Sequence, residues 1–179
     1  MNNQKETRLL LLIMAVGYGM NFILGIAGSI FEPNSYPQMT LWQIGDSMAI
    51  MASVLASRYI GSRSQNIAAA GFTLFGIAYG VSFASSAINA INVEKMALII
   101  LPLVPSLILI SFCTLFPAWL RFASLMVCVP FFFMYKNVIQ QTYSYDNLSN
   151  VLSYSGIQIL GVLWTIYIFK DHKKQHLVR

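Results

Sequence analysis

Charged side chains are scarce in this sequence. Asp, Glu, Lys and Arg make up 9% of its 179 residues, whereas apolar residues make up 57%. A typical soluble domain is about 25% charged. So small a charged fraction excludes a disordered chain, a coiled coil and an ordinary nucleic-acid-binding domain. The composition therefore predicts an integral membrane protein.

Cysteines and catalytic motifs are also scarce. The two cysteines, Cys113 and Cys128, both lie within apolar runs and offer neither a disulfide framework nor a zinc-binding spacing. The chain contains no GxSxG, HExxH, GxxxxGK[ST] or CxxC motif. Within the apolar runs there is no pair of acids that could share acid and base work. We therefore expect no cofactor and no metal site, and no catalytic mechanism can be named.

Long apolar runs dominate what is present. A hydrocarbon core of about 30 Å needs roughly 20 apolar residues in a helix. The runs are apolar all round, which favours helices over the short alternating strands of a barrel. The sequence thus predicts an all-α, polytopic membrane helical bundle with six transmembrane helices in a single domain, 1–179. The six predicted spans are 9–31, 40–60, 67–90, 95–116, 118–135 and 151–169.

The basic residues predict an orientation. With six spans both termini lie on one side of the membrane, and that side would hold nine of the eleven Lys and Arg residues. Basic residues concentrate on the cytoplasmic side of membrane proteins. We therefore expect a multi-pass protein of the cell (inner) membrane with both termini cytoplasmic. The other side would hold Lys95 and Lys136.

Asp46 is the acid that lies inside a predicted span. It is about six residues from the outer end of the second span, which places it roughly 9 Å deep. An ionised carboxylate at that depth must face the bundle interior or water, or else be protonated. Gln43 lies one turn above it, and Ser53 lies further along nearly the same face. These residues predict a polar line that runs inward along the second span and is interrupted by the apolar Ile50.

Partners for Asp46 are expected on neighbouring spans. Asn21 and Tyr18 qualify if the first span packs alongside the second, and Lys95 and Lys136 could reach it from the outer side. Further polar residues at the outer ends of the third and sixth spans, such as Ser82 and Tyr154, predict an outward vestibule or, alternatively, plain interhelical hydrogen bonding. The site around Asp46 is either a proton, cation or polar-substrate site, or a buried hydrogen bond that fixes helix packing.

Small residues recur every four positions in the third span, at Gly76, Gly80 and Ala84. Such a face lets two helix backbones approach closely. It is either internal packing of the first three spans or the interface of a homo-oligomer.

Prolines interrupt two of the predicted spans. A proline within a helix removes a backbone donor and kinks the helix. The kinks could line a cavity or act as hinges, or they could be plain geometry. They are predicted at Pro102, Pro105 and Pro130.

Three functional classes follow, in order of preference. The first is a small membrane transporter or channel component with a polar site around Asp46 on the outer half of the bundle. The second is a non-catalytic membrane subunit, or an assembly or regulatory protein, that acts through the small-residue faces. The third is a membrane enzyme. The expected partners are membrane lipids and either further copies of the chain or another membrane subunit, with no nucleic acid.

Overall fold

The fold is known from a computed structural model that describes residues 2–33, 35–87, 93–143 and 147–177. Side chains are described over 5–33, 35–84, 102–143 and 147–175. Across these ranges the chain is all-helical and has no strand, as the sequence predicts. The helices are α1 (Asn2–Gly28), α2 (Tyr36–Ser62), α3 (Asn66–Ala87), α4 (Val93–Ser111), α5 (Ala118–Met126), α6 (Cys128–Ile139) and α7 (Leu148–Leu177).

Every predicted span falls on a helix or on a pair of helices. Within the described residues, four helical segments are long and apolar enough to cross a membrane. The polar residues of α2 lower its hydropathy, and it is not one of the four. In α4, a shorter apolar stretch covers Pro102–Ser111. The four segments are Lys5–Gly28, Asn66–Ala84, Ala118–Ile139 and Leu148–Gln175.

The start of α2 lies four residues before the predicted span. Ser35 is its N-cap, and the Ser35 side chain accepts a hydrogen bond of 3.4 Å from the backbone N–H of Gln38. Such a cap satisfies one of the free donors of the first turn. Pro37 follows within that turn, where the missing N–H costs nothing. Capping by Ser35 therefore moves the start of α2 outward, to Tyr36.

The predicted fifth span is divided into α5 and α6 at Val127. Pro130 lies one turn further on and has no N–H to offer the carbonyl of Met126, which leaves the helix hydrogen-bond ladder open at that point. In contrast, α4 continues through Pro102 and Pro105 without a break. The prolines therefore have different effects on the two predicted spans.

The helices form a ring. α1 packs against α2 and α7, α3 packs against α2 and α4, and the α5–α6 pair lies between α4 and α7. The centre of the ring is filled by the indole of Trp164 from α7, which meets the rings of Tyr18, Phe72 and Phe75 edge to face. Tight packing of this kind holds helices together where the hydrophobic effect gives no drive between them.

The start of α1 and the ends of α2 and α7 lie together at one end of the bundle. Glu6 and Arg58 are 3.7 Å apart there, and Arg63 lies 2.9 Å from Asp171. We call this the basic end. At the opposite end the indole N–H of Trp42 donates to the carbonyl of Gly25 over 3.4 Å. α1 and α2 are therefore antiparallel.

The last helix, α7, is longer than predicted and continues eight residues past Phe169, to Leu177. Asp171 in this extension accepts hydrogen bonds from the hydroxyl of Tyr59 (2.8 Å), from the guanidinium of Arg63 (2.9 and 3.4 Å) and from the amide of Gln175 (3.2 Å). The bond to Asp171 raises the pKa of Arg63 above its ordinary value, which keeps the guanidinium charged. Asp171 thus ties α7 to the end of α2.

Candidate functional site

Six polar side chains form a column between α1, α2 and α3, and Tyr18 at one end of it contacts the aromatic centre of the ring. Five of the six are buried, and Ser82 is partly buried. We call this set the polar column. It comprises Tyr18, Asn21, Asp46, Ser53, Tyr79 and Ser82.

The level nearest the basic end joins α1 to α2. The hydroxyls of Tyr18 and Ser53 are 3.1 Å apart, and the hydroxyl of Ser53 also lies 2.7 Å from the carbonyl of Ala49. Because Ser53 has one proton and gives it to Ala49, Tyr18 must be the donor between the two hydroxyls. Both side chains are therefore satisfied within the bundle.

The middle level joins α1 to α3. The hydroxyl of Tyr79 donates to Oδ1 of Asn21 over 3.3 Å. Nδ2 of Asn21 faces Gly45 of α2 and would lie 3.5 Å from a Cβ there. Gly45 directly precedes Asp46, so the amide of Asn21 lies beside the turn of α2 that carries the carboxyl group.

The level furthest from the basic end contains the carboxyl group of Asp46, which is hydrogen-bonded to the side chain of Ser82. Since α2 begins at Tyr36, Asp46 lies ten residues into the helix, about 15 Å along its axis. Among the described residues no salt bridge involves Asp46. A buried carboxyl group without a cationic partner can hold a proton or a cation.

Gln43 and Lys136, which the sequence also placed near Asp46, form no salt bridge with the column among the described residues. Gln43 is only partly buried, and Lys136 is exposed at the end of α6. The side chain of Lys95 lies outside the described residues. Tyr154 of α7 is within electrostatic range of Tyr79 and packs against Phe131. The column therefore draws on α1, α2 and α3, with α7 close by.

The small residues of α3 do not share one environment. A Cβ at Gly76 would lie 3.3 Å from the Cβ of Ser53, so Gly76 is packed against α2 beside the polar column. A Cβ at Gly80 would meet nothing within 4 Å among the described residues, and Ala84 is exposed. Gly76 thus contributes to internal packing, whereas Gly80 is partly buried without a close neighbour among the described side chains and Ala84 is exposed.

The helix prolines lie on the other side of the ring, in α4 and α6. Pro105 is exposed, and Pro102 and Pro130 are partly buried. None of the three is a member of the polar column.

Neither a family model nor a curated protein nor a solved structure matches this chain. The geometry of the polar column is therefore the main structural guide to its function.

Two members of the column could have been given clearer roles from the sequence. The sequence does not single out Tyr79, and for Ser82 it predicts either an outer vestibule or interhelical hydrogen bonding. Gly76, Tyr79 and Ser82 are spaced by three residues, which puts them near one face of a helix. Since Gly76 already indicated a close contact of α3, the same face should have pointed Tyr79 and Ser82 toward α1 and α2.

Proposed function

We propose that this chain is a small integral membrane transporter or channel component whose polar column binds a proton or a cation at Asp46. The proposal includes six membrane crossings, with both termini in the cytoplasm of the cell (inner) membrane. The observation that carries it is the burial of the Asp46 carboxyl group, hydrogen-bonded to Ser82, within α2.

A carboxyl group is a costly choice for a purely structural contact at this depth. An asparagine would fit the same space and bond to Ser82 without the cost of burying a charge. Ionisable residues within membrane helices commonly mark ion or proton pathways. The neighbouring levels of the column, Tyr18–Ser53 and Asn21–Tyr79, continue the polar surface toward the basic end. This continuity supports a path rather than an isolated hydrogen bond.

Proton uptake into proteoliposomes tests the proposal. The full chain is reconstituted into vesicles that contain a pH-sensitive dye. The rate at which an imposed pH gradient decays is then measured without added cation and with Na⁺ or K⁺. We expect Asp46→Asn to lower the protein-dependent flux by about ten-fold or more, since the exchangeable charge is lost. The matched control is Glu32→Gln, which makes the same chemical change at an exposed loop residue.

The two variants must elute as the same folded species as the wild type. If flux is unchanged in Asp46→Asn, or if wild-type vesicles show no flux above protein-free vesicles with any of the three ions, the proposal is wrong. Equal losses in Asp46→Asn and Glu32→Gln would also contradict a specific role for the buried carboxyl group.

The six-span topology has its own support and its own test. The start of α1 and the end of α7 lie at the same end of the bundle, where Arg58 and Arg63 also lie. Tyr36, exposed at the start of α2, lies at the opposite end. We expect Lys173→Cys to react with an impermeant maleimide only from the cytoplasm and Tyr36→Cys only from outside. Labelling of both from one side would contradict six crossings. The buried Cys113 and Cys128 give a low background.

A second candidate function, a non-catalytic membrane subunit, is supported by two small residues of α3, Gly80, which is partly buried, and Ala84, which is exposed. Small residues on an exposed helix face allow a second helix to approach closely. If this surface is an interface, Gly80→Leu lowers the oligomer mass of the purified protein or releases its partner subunit, whereas Gly19→Leu, on an open part of α1, does not. An unchanged assembly in Gly80→Leu would exclude this interface.

A further inference from the structure

A cleft of about 280 Å³ opens between the start of α1 and the end of α2, at the basic end. Its apolar wall includes Leu10, Leu11 and Leu55, and its rim carries Glu6, Arg58 and Ser62. Drug-sized ligands occupy pockets of about 300–1,000 Å³. The cleft therefore has room for a small polar group with one apolar attachment, but not for a large ligand.

The cleft follows from the way α1 and α2 pack. Further along the bundle the two helices are in close contact, because a Cβ at Gly17 would lie only 2.8 Å from the carbonyl of Met48 and 2.9 Å from the Cβ of Ala52. Toward the basic end the facing residues become Leu10 and Leu55, which are too large for the same approach. The helices consequently leave a groove with an apolar interior and a polar rim.

The rim of the cleft carries one negative and one positive side chain. Glu6 and Arg58 face each other across the groove at 3.7 Å, and their side chains are 59% and 65% exposed. An exposed pair at this distance contributes little to stability, because water and salt screen it. Either side chain can therefore leave the other and bind a ligand group of opposite charge at small cost.

From this arrangement we propose that the cleft binds the headgroup of a phospholipid that carries both a phosphate and a primary amine. Arg58 binds the phosphate, Glu6 accepts hydrogen bonds from the ammonium group, and an acyl chain lies along Leu10 and Leu55. This lipid site depends on the membrane location included in the proposed function, but not on transport.

The rim discriminates among lipid classes. A lipid headgroup with a phosphate but no amine places its negative charge beside the carboxylate of Glu6. The repulsion between the two disfavours anionic headgroups. A quaternary ammonium group has no N–H to donate to Glu6, so a choline headgroup loses the charge-assisted hydrogen bond. A phosphoethanolamine headgroup satisfies both charges of the rim.

Lipid retention by the purified full-length chain tests the site. The protein in detergent is equilibrated with phosphatidylethanolamine, phosphatidylcholine or phosphatidylglycerol of identical acyl chains, and bound lipid is counted by native mass spectrometry. We expect about five-fold tighter retention of one phosphatidylethanolamine molecule than of the other two, which is roughly 1 kcal/mol. Arg58→Gln should remove this retention. Glu6→Gln should remove the preference for phosphatidylethanolamine over phosphatidylglycerol while binding persists.

Arg8→Gln is the matched control. Arg8 is an exposed cation on the same turn of α1, but it does not line the cleft. Unchanged retention in Arg8→Gln supports a specific site. Equal retention of the three lipids, an equal loss in Arg8→Gln and Arg58→Gln, or an unchanged preference in Glu6→Gln would overturn it. Because these readouts do not involve ion flux, they stay informative if Asp46→Asn shows no transport defect.

Discussion

The ion pair between Arg63 and Asp171 should hold the end of α7 against the end of α2 with a measurable coupling energy. The perturbation is a double-mutant cycle with Asp171→Asn, Arg63→Gln and the double variant. Such a cycle isolates the interaction of the two side chains from their contacts with the rest of the protein. The same cycle on Glu6→Gln and Arg58→Gln provides the reference.

The expected magnitudes follow from geometry and exposure. Asp171 accepts two hydrogen bonds from Arg63, at 2.9 and 3.4 Å, and the two side chains are 15% and 35% exposed. A hydrogen bond to a charged group contributes about 1.5–3 kcal/mol. Because water still reaches Arg63, we expect a coupling of about 1–2 kcal/mol, around the lower limit of that range. For Glu6 and Arg58, at 3.7 Å and mostly exposed, we expect at most about 0.5 kcal/mol.

The free energy of unfolding of each variant is measured by titration with sodium dodecyl sulfate in mixed micelles, at low salt and at about 1 M NaCl. Salt at that concentration shortens the screening length to roughly 3 Å, so it should abolish the coupling of Glu6 with Arg58 and leave most of the coupling of Arg63 with Asp171. A coupling below about 0.5 kcal/mol for Arg63 and Asp171, or one equal to that of the reference pair, would refute the reasoning.

Three further predictions concern packing and backbone geometry. Gly17→Ala should lower the free energy of unfolding by about 1–3 kcal/mol in the same detergent titration, because the new Cβ would lie 2.8 Å from the carbonyl of Met48. Gly19→Ala is the control and should be neutral or stabilising, since a Cβ there has nothing within 4 Å among the described residues. Trp164→Phe should lower the free energy of unfolding by less than about 1.5 kcal/mol, because it removes a buried indole N–H that has no partner in the described part of the chain. Trp164→Ala should lower it by about 3–5 kcal/mol. Equal losses in the two variants would contradict this reasoning. Ser64→Gly should raise the melting temperature in detergent. Ser64 has a φ of 58°, in the left-handed region, where a residue with a side chain is strained by roughly 1 kcal/mol relative to glycine. A lower melting temperature of the variant would contradict this strain.

The helices could be read from the sequence because a long apolar run must satisfy its backbone hydrogen bonds within a helix if it lies in lipid, although the fifth run forms two helices. Their ends could not be read as well, since hydropathy reports where lipid contact stops rather than where a helix stops. α7 shows this most clearly. Its apolar residues end at Phe169, but Lys170, Lys173 and Lys174 are good helix formers, and Asp171 gains partners on α2 only if the helix continues.

The candidate site was partly predictable for a related reason. Asp46 is evident because a carboxyl group inside an apolar run requires an explanation, and Asn21, Tyr18 and Ser53 are among the polar residues that neighbouring helices could bring to it. Which of them meet depends on the rotation of each helix about its axis. That rotation is set by contacts such as Gly17 against Met48 and Gly76 against Ser53, which composition does not reveal.

The unbroken length of α7 has a practical consequence for following motion in this protein. Its 30 residues extend about 45 Å, whereas a bilayer interior is about 30 Å thick, so in the proposed topology the helix forms a stiff rod long enough to project beyond the acyl chains. A fluorophore attached at the exposed Lys174 would be fixed to this helix and would move with it. Its polarisation relative to the bilayer plane would then report tilting of the helix that carries Trp164 at the centre of the ring.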